Sequence, residues 1–301
     1  MKKTPLITIG ITCFNCEKTI ERALDSALKQ NWKNKEIILI DDCSTDNSKK
    51  ILLKYKAKFP KIKIIFNKKN RGLAYNENLI IKISKGKFLA FFDGDDKSRY
   101  DRITKQYKKF IEYKSKKSLD KIFVYSNRNI ISNIVNKNKT IRYGIGRKSP
   151  EPYGKIVAKY LLKIKLKNNN LCWGSFGSGT MFTKTTNLKK LNGFDESFNR
   201  GAEIDLWIRS AFDDYHFISV NETLMTQYIS HDIDKKIKKD LLSRLKLIKK
   251  YKKYLDKNNL YTSSLFNFYA WYWFENKNKI FGYIFKILSV LFSLNQRNLK
   301  L

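Results

Sequence analysis

Cysteine is scarce in this chain of 301 residues: Cys13, Cys16, Cys43 and Cys172 are the only four. So few, at irregular spacing, exclude the disulfide framework of a small secreted domain. A zinc site would need ligands beyond Cys13-x-x-Cys16, and Cys43 and Cys172 form no second close pair. Internal repeats are absent, which excludes a solenoid. No uninterrupted apolar run reaches the roughly 20 residues that a bilayer crossing requires. No charged-apolar-small signal precedes the first apolar run, so a reducing, cytosolic setting is expected. Acidic residues are also in deficit, with 27 Asp+Glu against 62 Lys+Arg and a formal charge of +35. Such an excess favours polyanionic neighbours: nucleic acid, phosphate-bearing substrates or an anionic membrane face. The lysines are scattered along the whole length, as in any Lys- and Asn-rich chain, so charge narrows the partner without choosing it.

What is present is enough for a full core, with 42% hydrophobic and 14% aromatic residues. The first hundred residues alternate between two patterns. LITIGITCF, EIILID, IKIIFN and KFLAFFD are short apolar runs of the kind that form buried parallel strands. Segments of helical period separate them, at 18–30, 46–55 and 73–84. The order β-α-β-α-β-α-β predicts an open α/β sheet, whose ligands bind at the carboxyl ends of its strands. Two acidic clusters, Asp41-Asp42 and Asp93-Gly94-Asp95-Asp96, should therefore meet at one sheet edge. Beyond residue 99 the pattern predicts a helix over 102–113, a strand IFVYS, a loose polar passage over 127–139, a Gly-rich loop and strand at GSFGSGTMFTK, a helix at EIDLWIRSAF, and two strands, HFISV and LMTQYISH.

Three carboxylates within four residues repel one another unless a cation neutralises them, although Asp and Gly also make ordinary exposed turns. Hard oxygen ligands suit Mg²⁺ or Mn²⁺, which take further ligands from a substrate's phosphates. That points to a nucleotide diphosphate donor.

The ordered set TCFN, DDCSTDNS, NRG and FFDGDD resembles the family 2 glycosyltransferases over residues 6–231. The resemblance implies a GT-A, Rossmann-like nucleotide-diphospho-sugar transferase fold over residues 1–232: an α/β mixed sheet flanked by helices. A helical, basic and aromatic C-terminal extension over 233–301 follows. By the same resemblance Thr12, Phe14 and Asn15 line the nucleotide pocket, Asp42 accepts a hydrogen bond from the base, Asn70 and Gly72 complete that wall, and Asp95 holds the ribose or shares the cation. Asp96 binds Mn²⁺ or Mg²⁺ bridging the diphosphate, with His231 as a further ligand, and Asp42 and Asp96 are expected to converge around that ion. Neither Cys13 nor Cys16 is required by the family pattern.

GFDESFNRGAEIDLWIR resembles the family's second landmark, with Ala202-Glu203 where Glu-Asp is usual. Glu203 thus takes the general-base position and Asp205 is the fallback. Asn78 matches the family pattern in Asn76-Glu77-Asn78, whereas Glu77 departs from it. The implied reaction is an inverting, single-displacement transfer from a nucleotide sugar, expected to be a UDP-sugar, to a hydroxyl of a glycan or lipid-linked glycan acceptor of a bacterial surface polysaccharide or lipooligosaccharide.

Three other functions compete for the same motifs. A sugar-phosphate nucleotidyltransferase would carry a Gly-rich, Arg- and Lys-bearing loop after its first strand, which TCFNCEK lacks. A basic nucleic-acid-binding protein explains the charge but sets DGDD against a polyanion, so no nucleic acid partner is expected. A thiol oxidoreductase rests on Cys-x-x-Cys alone. In the tail, KIFGYIFKILSVLFSL has a narrow polar stripe on an apolar cylinder. It either lies in the interface of an anionic membrane, at the inner face of the plasma membrane, or buries its wide apolar face against the aromatic segment before it; helical spacing of apolar residues favours the second.

Overall fold

The computed structural model describes residues 4–132, 139–164, 173–229 and 233–294. The four early apolar runs become β1 (Ile7–Cys13), β2 (Lys35–Asp41), β3 (Lys63–Phe66) and β4 (Phe88–Asp93), joined by α1 (Ile20–Leu28), α2 (Ser48–Lys58) and α3 (Leu73–Ile83). They pair in parallel in the order β3-β2-β1-β4, as helical crossovers require. Because successive strand residues point to opposite faces, Ile37 and Leu39 of β2 and Phe88, Ala90 and Phe92 of β4 enter one apolar layer, while Ile38, Ile40, Leu89 and Phe91 enter the other. Helices cover both layers, which is why the runs carry so few polar residues.

The chain continues through β5 (Lys97–Ser98), α4 (Arg102–Lys117), β6 (Ile122–Ser132), β7 (Lys139–Arg142), α5 (Lys155–Leu161), β8 (Phe182–Lys184), α6 (Thr185–Lys190), α7 (Ala202–Phe212) and β9 (His216–Ile229). The sheet extends as β4-β8-β6-β9-β5, with β7 on the flank of β6. Strand β8 runs antiparallel to both β4 and β6, whereas β6 and β9 are parallel. The sheet is mixed. The passage expected to be loose from 127 is strand as far as Ser132: β9 and β7 pair with its backbone, and the register shifts on either side of Asn127 absorb the irregularity. HFISV and LMTQYI, expected in separate strands, belong to the single β9, which is described as far as Ile229.

The tail forms α8 (Ile233–Lys250), α9 (Lys252–Lys257), α10 (Tyr261–Glu275) and α11 (Lys279–Leu294). Leu241, Leu247, Ile248, Leu255 and Phe268 are buried in the same cluster as Leu206, Trp207 and Ile208 of α7. A boundary near 232 therefore separates two sequence patterns but not two cores. Helix α11 meets the expectation in part: Phe281, Phe285 and Phe292 contact Trp273, Phe266 and Tyr269 of α10, but Gly282 and Ser289 of the polar stripe are turned inward beside them. A Cβ on Gly282 would stand 2.6 Å from the Phe274 ring, Ser263 Oγ donates to the Ser289 carbonyl at 2.8 Å, and Lys286 Nζ and Ser289 Oγ both donate to Asn267 Oδ1. Small residues permit this close approach. The apolar face is left outward, with Ile280 74%, Tyr283 61% and Ile287 59% exposed. Among the described residues no helix is long and apolar enough to cross a membrane.

Candidate active site

The carboxyl ends of β1, β2 and β4 lie side by side, with Cys13 opposite Asp41 and Thr12 opposite Asp93. The loop after β1 is stitched to the loop after β2. Asn15, in the left-handed region at φ 52°, accepts from the Thr45 amide at 2.8 Å and donates its own amide to Ser44 Oγ at 2.9 Å. Asp46 Oδ2 accepts from the Glu17 amide, and Glu17 Oε2 from that of Asn47. This bracing holds Phe14, 48% exposed, on the rim of a cavity of about 660 Å³ that Arg22, Asp95 and Tyr228 also line. An exposed ring held by fixed loops is suited to cover the face of a base. Opposite it, the Arg22 guanidinium lies 3.6 Å from the centroid of the Tyr228 ring and donates to the Asp95 carbonyl.

Asp42 is buried and fully engaged. Its Oδ1 accepts from Asn67 Nδ2 and the Arg71 amide, and its Oδ2 from the Gly72 amide, each at 2.8 Å. Burial works against its charge, but these donors and the nearby Asn76 amide group outweigh it and hold the carboxyl below its usual range. Gly72 precedes α3 with φ +84°, and Asn70 is exposed on the same turn. Asp42 and Asp96, expected to converge on one ion, follow strands on either side of β1 and share no hydrogen-bond partner; the donors that Asp42 meets come from the 67–72 turn.

Asp96 is in the contrary position. Its Oδ1 accepts from the Tyr228 amide at 3.0 Å, while Oδ2 is sealed from solvent with no hydrogen-bond partner. Burial, then the neighbouring Asp93 and Asp95, pushes it up to about 8. Asp93, half-buried, is raised to about 6 by desolvation and Asp95, against the pull of Arg102. Arg102 itself is completely buried, donating to the Phe91 carbonyl and to Ser98 Oγ at 2.9 Å each. An orphaned carboxylate oxygen among mutually repelling acids fits a divalent cation. Among the described residues no three His, Cys, Asp or Glu side chains are grouped to hold one unaided, as suits an ion that draws its remaining ligands from a diphosphate. His231 lies outside the described residues.

Asp93 also reaches a second cavity, of about 290 Å³, where it meets Glu203, Arg128, Arg244 and the Gly177–Thr180 turn. A Cβ on Gly179 would come 2.2 Å from Asp93 Oδ2, so a side chain there would push that carboxylate aside. Glu203 projects from the first turn of α7, its pKa raised chiefly by burial. Glu77, on α3, is buried nearby, and burial followed by the charges of Glu203 and Asp93 raises it well above the glutamate range. Asn78 clamps α3 to the loop before α7, accepting from the Phe194 amide and donating to the Phe194 carbonyl. Asp205 does not face this cavity. Fully buried, it binds Arg209 Nε at 2.7 Å, Tyr251 Oη at 2.8 Å and Lys250 Nζ at 2.6 Å. It is a strut between α7 and the helices that follow, which removes it as a fallback base.

Cys13, Cys16 and Cys43 are free thiols, and Cys16 Sγ donates to the Phe14 carbonyl. Arg22, Arg128 and Arg244 were not singled out from the sequence. A cation within a chain of 62 basic residues carries no local signal, and only the fold brings these three to the acidic edge.

The comparisons agree with this geometry. The profile described as Glycosyl transferase family 2 matches residues 8–171. An uncharacterized glycosyltransferase of Methanocaldococcus jannaschii is 27% identical over 295 residues, covering 96% of this chain and 91% of the relative. The Escherichia coli UDP-Glc:alpha-D-GlcNAc-diphosphoundecaprenol beta-1,3-glucosyltransferase WfaP is 43% identical over 91 residues, 30% of this chain and 36% of that one. Among solved structures, S. aureus TarS 1–349 in complex with UDP-GlcNAc superposes with a TM-score of 0.56 at 15% identity, covering 93% of this chain and 90% of that one. With more than half its length matched by one family and its sheet built as a GT-A fold, the chain belongs to glycosyl transferase family 2.

Proposed function

We propose that this enzyme moves a sugar from a UDP-sugar to a hydroxyl of a glycan acceptor in one displacement, with inversion at the anomeric carbon. The observation that carries this reading is the acidic turn after β4, whose Asp95 lines the Phe14 cavity while its Asp93 lines the cavity of Glu203. Donor and acceptor sides thus adjoin across a few residues. The uracil would lie on Phe14 beside Thr12 and Asn15, with Asp42 fixing the adjoining turn. Glu203 takes the proton from the acceptor hydroxyl, the hydroxyl oxygen bonds to the anomeric carbon, and the bond to the diphosphate breaks with its electron pair leaving on UDP. Burial of Glu203 brings its basicity toward working pH, as general-base catalysis needs. Asp96, with Asp95, would hold Mn²⁺ or Mg²⁺. When bound, that ion supplies Lewis-acid stabilisation to the departing diphosphate.

The acceptor is read as a lipid-linked or surface glycan met at the inner face of an anionic membrane. The name of the E. coli relative, with its diphosphoundecaprenol acceptor, supports the class. Support also comes from the outward apolar face of α11, edged by the exposed Lys277 and Lys279. A bilayer with anionic headgroups suits both parts of that surface, whereas a second copy would bring another +35 charge against it.

A panel of nucleotide sugars scored by thermal stabilisation, with and without Mn²⁺ or Mg²⁺, tests the reaction. One donor is expected to raise the melting temperature only with metal, and Asp96→Ala to abolish that rise. A panel in which no donor acts under either condition would sink the reading.

A further inference from the structure

Two cavities continue outward from Glu203, and their walls are basic. The first, about 210 Å³, shares Glu203 and Arg244 with the cavity at Asp93 and adds Arg200, Asp240 and Ser243. The second, about 520 Å³, shares Arg200 and Ser243 with the first and adds Lys239 and Lys246. In sequence these form a groove between α7, the loop before it, and α8. Five cations line it from end to end: Arg128, Arg244, Arg200, Lys239 and Lys246.

Arg244 lines both the inner cavity and the first of the two that continue outward. Its guanidinium lies 4.3 Å from the Trp271 ring centroid on α10, and its Nε is sealed from solvent. Among the described residues it has no hydrogen bond and no ion pair, although Asp240, Glu203 and Glu275 are close enough to act on its charge. Asp240 is already paired with Arg200 at 3.3 Å. Arginine presents a planar fork of donors matched to oxyanions, and a part-buried cation without a partner is costly unless a ligand supplies one. Arg244 does not line the Phe14 cavity, where the nucleotide is placed, but lines the two cavities that meet at Glu203.

We propose that the groove between α7 and α8 binds a negatively charged acceptor glycan, with Arg244 taking a phosphate or carboxylate and thereby setting the reacting hydroxyl at Glu203. The proposal rests on the reading of Glu203 as the base and names the acceptor class for it. The C-terminal extension is then part of the acceptor site, since Lys239, Arg244 and Lys246 all come from α8. Arg200 and Lys239, farther out, meet further charges along the same chain.

The test is direct binding to the full-length chain, followed by tryptophan fluorescence, since Trp271 underlies Arg244 and Trp207 lines the inner cavity. The probes are an oligouronate, an oligomer of glycerol phosphate, and a neutral maltooligosaccharide of equal length. At least one anionic oligomer is expected to bind about tenfold or more tighter than the neutral one, which corresponds to about 1.4 kcal/mol. Which anionic oligomer it is separates carboxylate from phosphate. Arg244→Gln should weaken anionic binding about tenfold while UDP affinity stays as it was, and Arg244→Lys should restore only part of it. Because Arg244 also packs on Trp271, the exposed Lys239→Gln serves as a second variant that leaves the core alone and should weaken binding of the longer anionic oligomers. Equal binding of neutral and anionic probes, or no binding of any anionic probe at millimolar concentration, overturns the proposal. So do anionic binding indifferent to both variants, a loss of UDP affinity matching the loss of anion, and tighter binding of RNA than of either glycan. Each result is read without sugar transfer, so it stands apart from the fate of the proposed reaction.

Discussion

Glu203 and Asp205 sit two residues apart on α7 and have opposite fates. Asp205 meets three donors and is spent on structure, whereas Glu203 faces a cavity beside Asp93. Replacing Glu203 with Gln should lower transfer by about 10²–10⁴-fold while UDP binding persists, seen by pairing a turnover assay with titration of UDP. A base acts only when unprotonated, and this one has a raised pKa. The acid limb of kcat/KM against pH should therefore fall at higher pH than an ordinary glutamate would give, and a limb in the ordinary range would contradict the assignment. Glu77 gives a separate test through stability. Its folded-state pKa is raised, so the stability it contributes is present below the unfolded glutamate range and lost as pH rises through the folded value. On the alkaline side Glu77→Gln should exceed the wild type by at least about 1 kcal/mol in urea unfolding, with the gap closing in acid. At this scale the sequence marked DGDD and Glu203 as candidates, and the fold brings Asp93 and Glu203 to one cavity. The sequence was silent about Arg22, Arg128 and Arg244, and it could not tell which carboxylates, such as Asp42 and Asp205, would find donors across the fold.

Strands and helices were legible to the extent that their cores were locally written. β1 to β4 carry continuous apolar runs and fall within a residue or two of where the pattern put them. The outer strand at 127–132 was not readable, since polar residues there are held by pairing with β9 and β7, partners distant in sequence. Helix α11 was recognised as a helix but not oriented. Its apolar period announces a helix, yet α10 is met by Gly282, Ser289 and Lys286 as well as by Phe281 and Phe285, and the fit of the first three to Phe274 and Asn267 is a matter of shape. The bond between elements that matters most for the site is Asp205 to Tyr251 and Lys250, which ties α7 to the end of α8 and the turn after it. Asp205→Asn should destabilise the protein by about 2 kcal/mol, less than for a wholly buried pair because Arg209 and Lys250 are part-exposed and can hydrate. The expected signature is a lower urea midpoint together with weakened transfer.

For the molecule as a whole, charge and the outward face of α11 act together. Flotation with vesicles should show binding to bilayers containing anionic lipid, weakening with salt as exposed charges are screened. The pair Ile284→Glu with Ile287→Glu, both on the exposed face, should abolish flotation and leave donor-induced thermal stabilisation intact. Flotation that survives both substitutions would place the membrane contact elsewhere.

The cluster that joins Leu241 and Phe268 to Trp207 has a consequence for how such enzymes diversify. If the groove takes the acceptor as proposed, the helices after β9 would serve two ends at once, completing the interior beneath α7 and selecting the molecule to be decorated. A change of target would then have to come from the groove-facing side of α8 alone, since wholesale replacement of these helices would strip apolar cover from Trp207 and its neighbours.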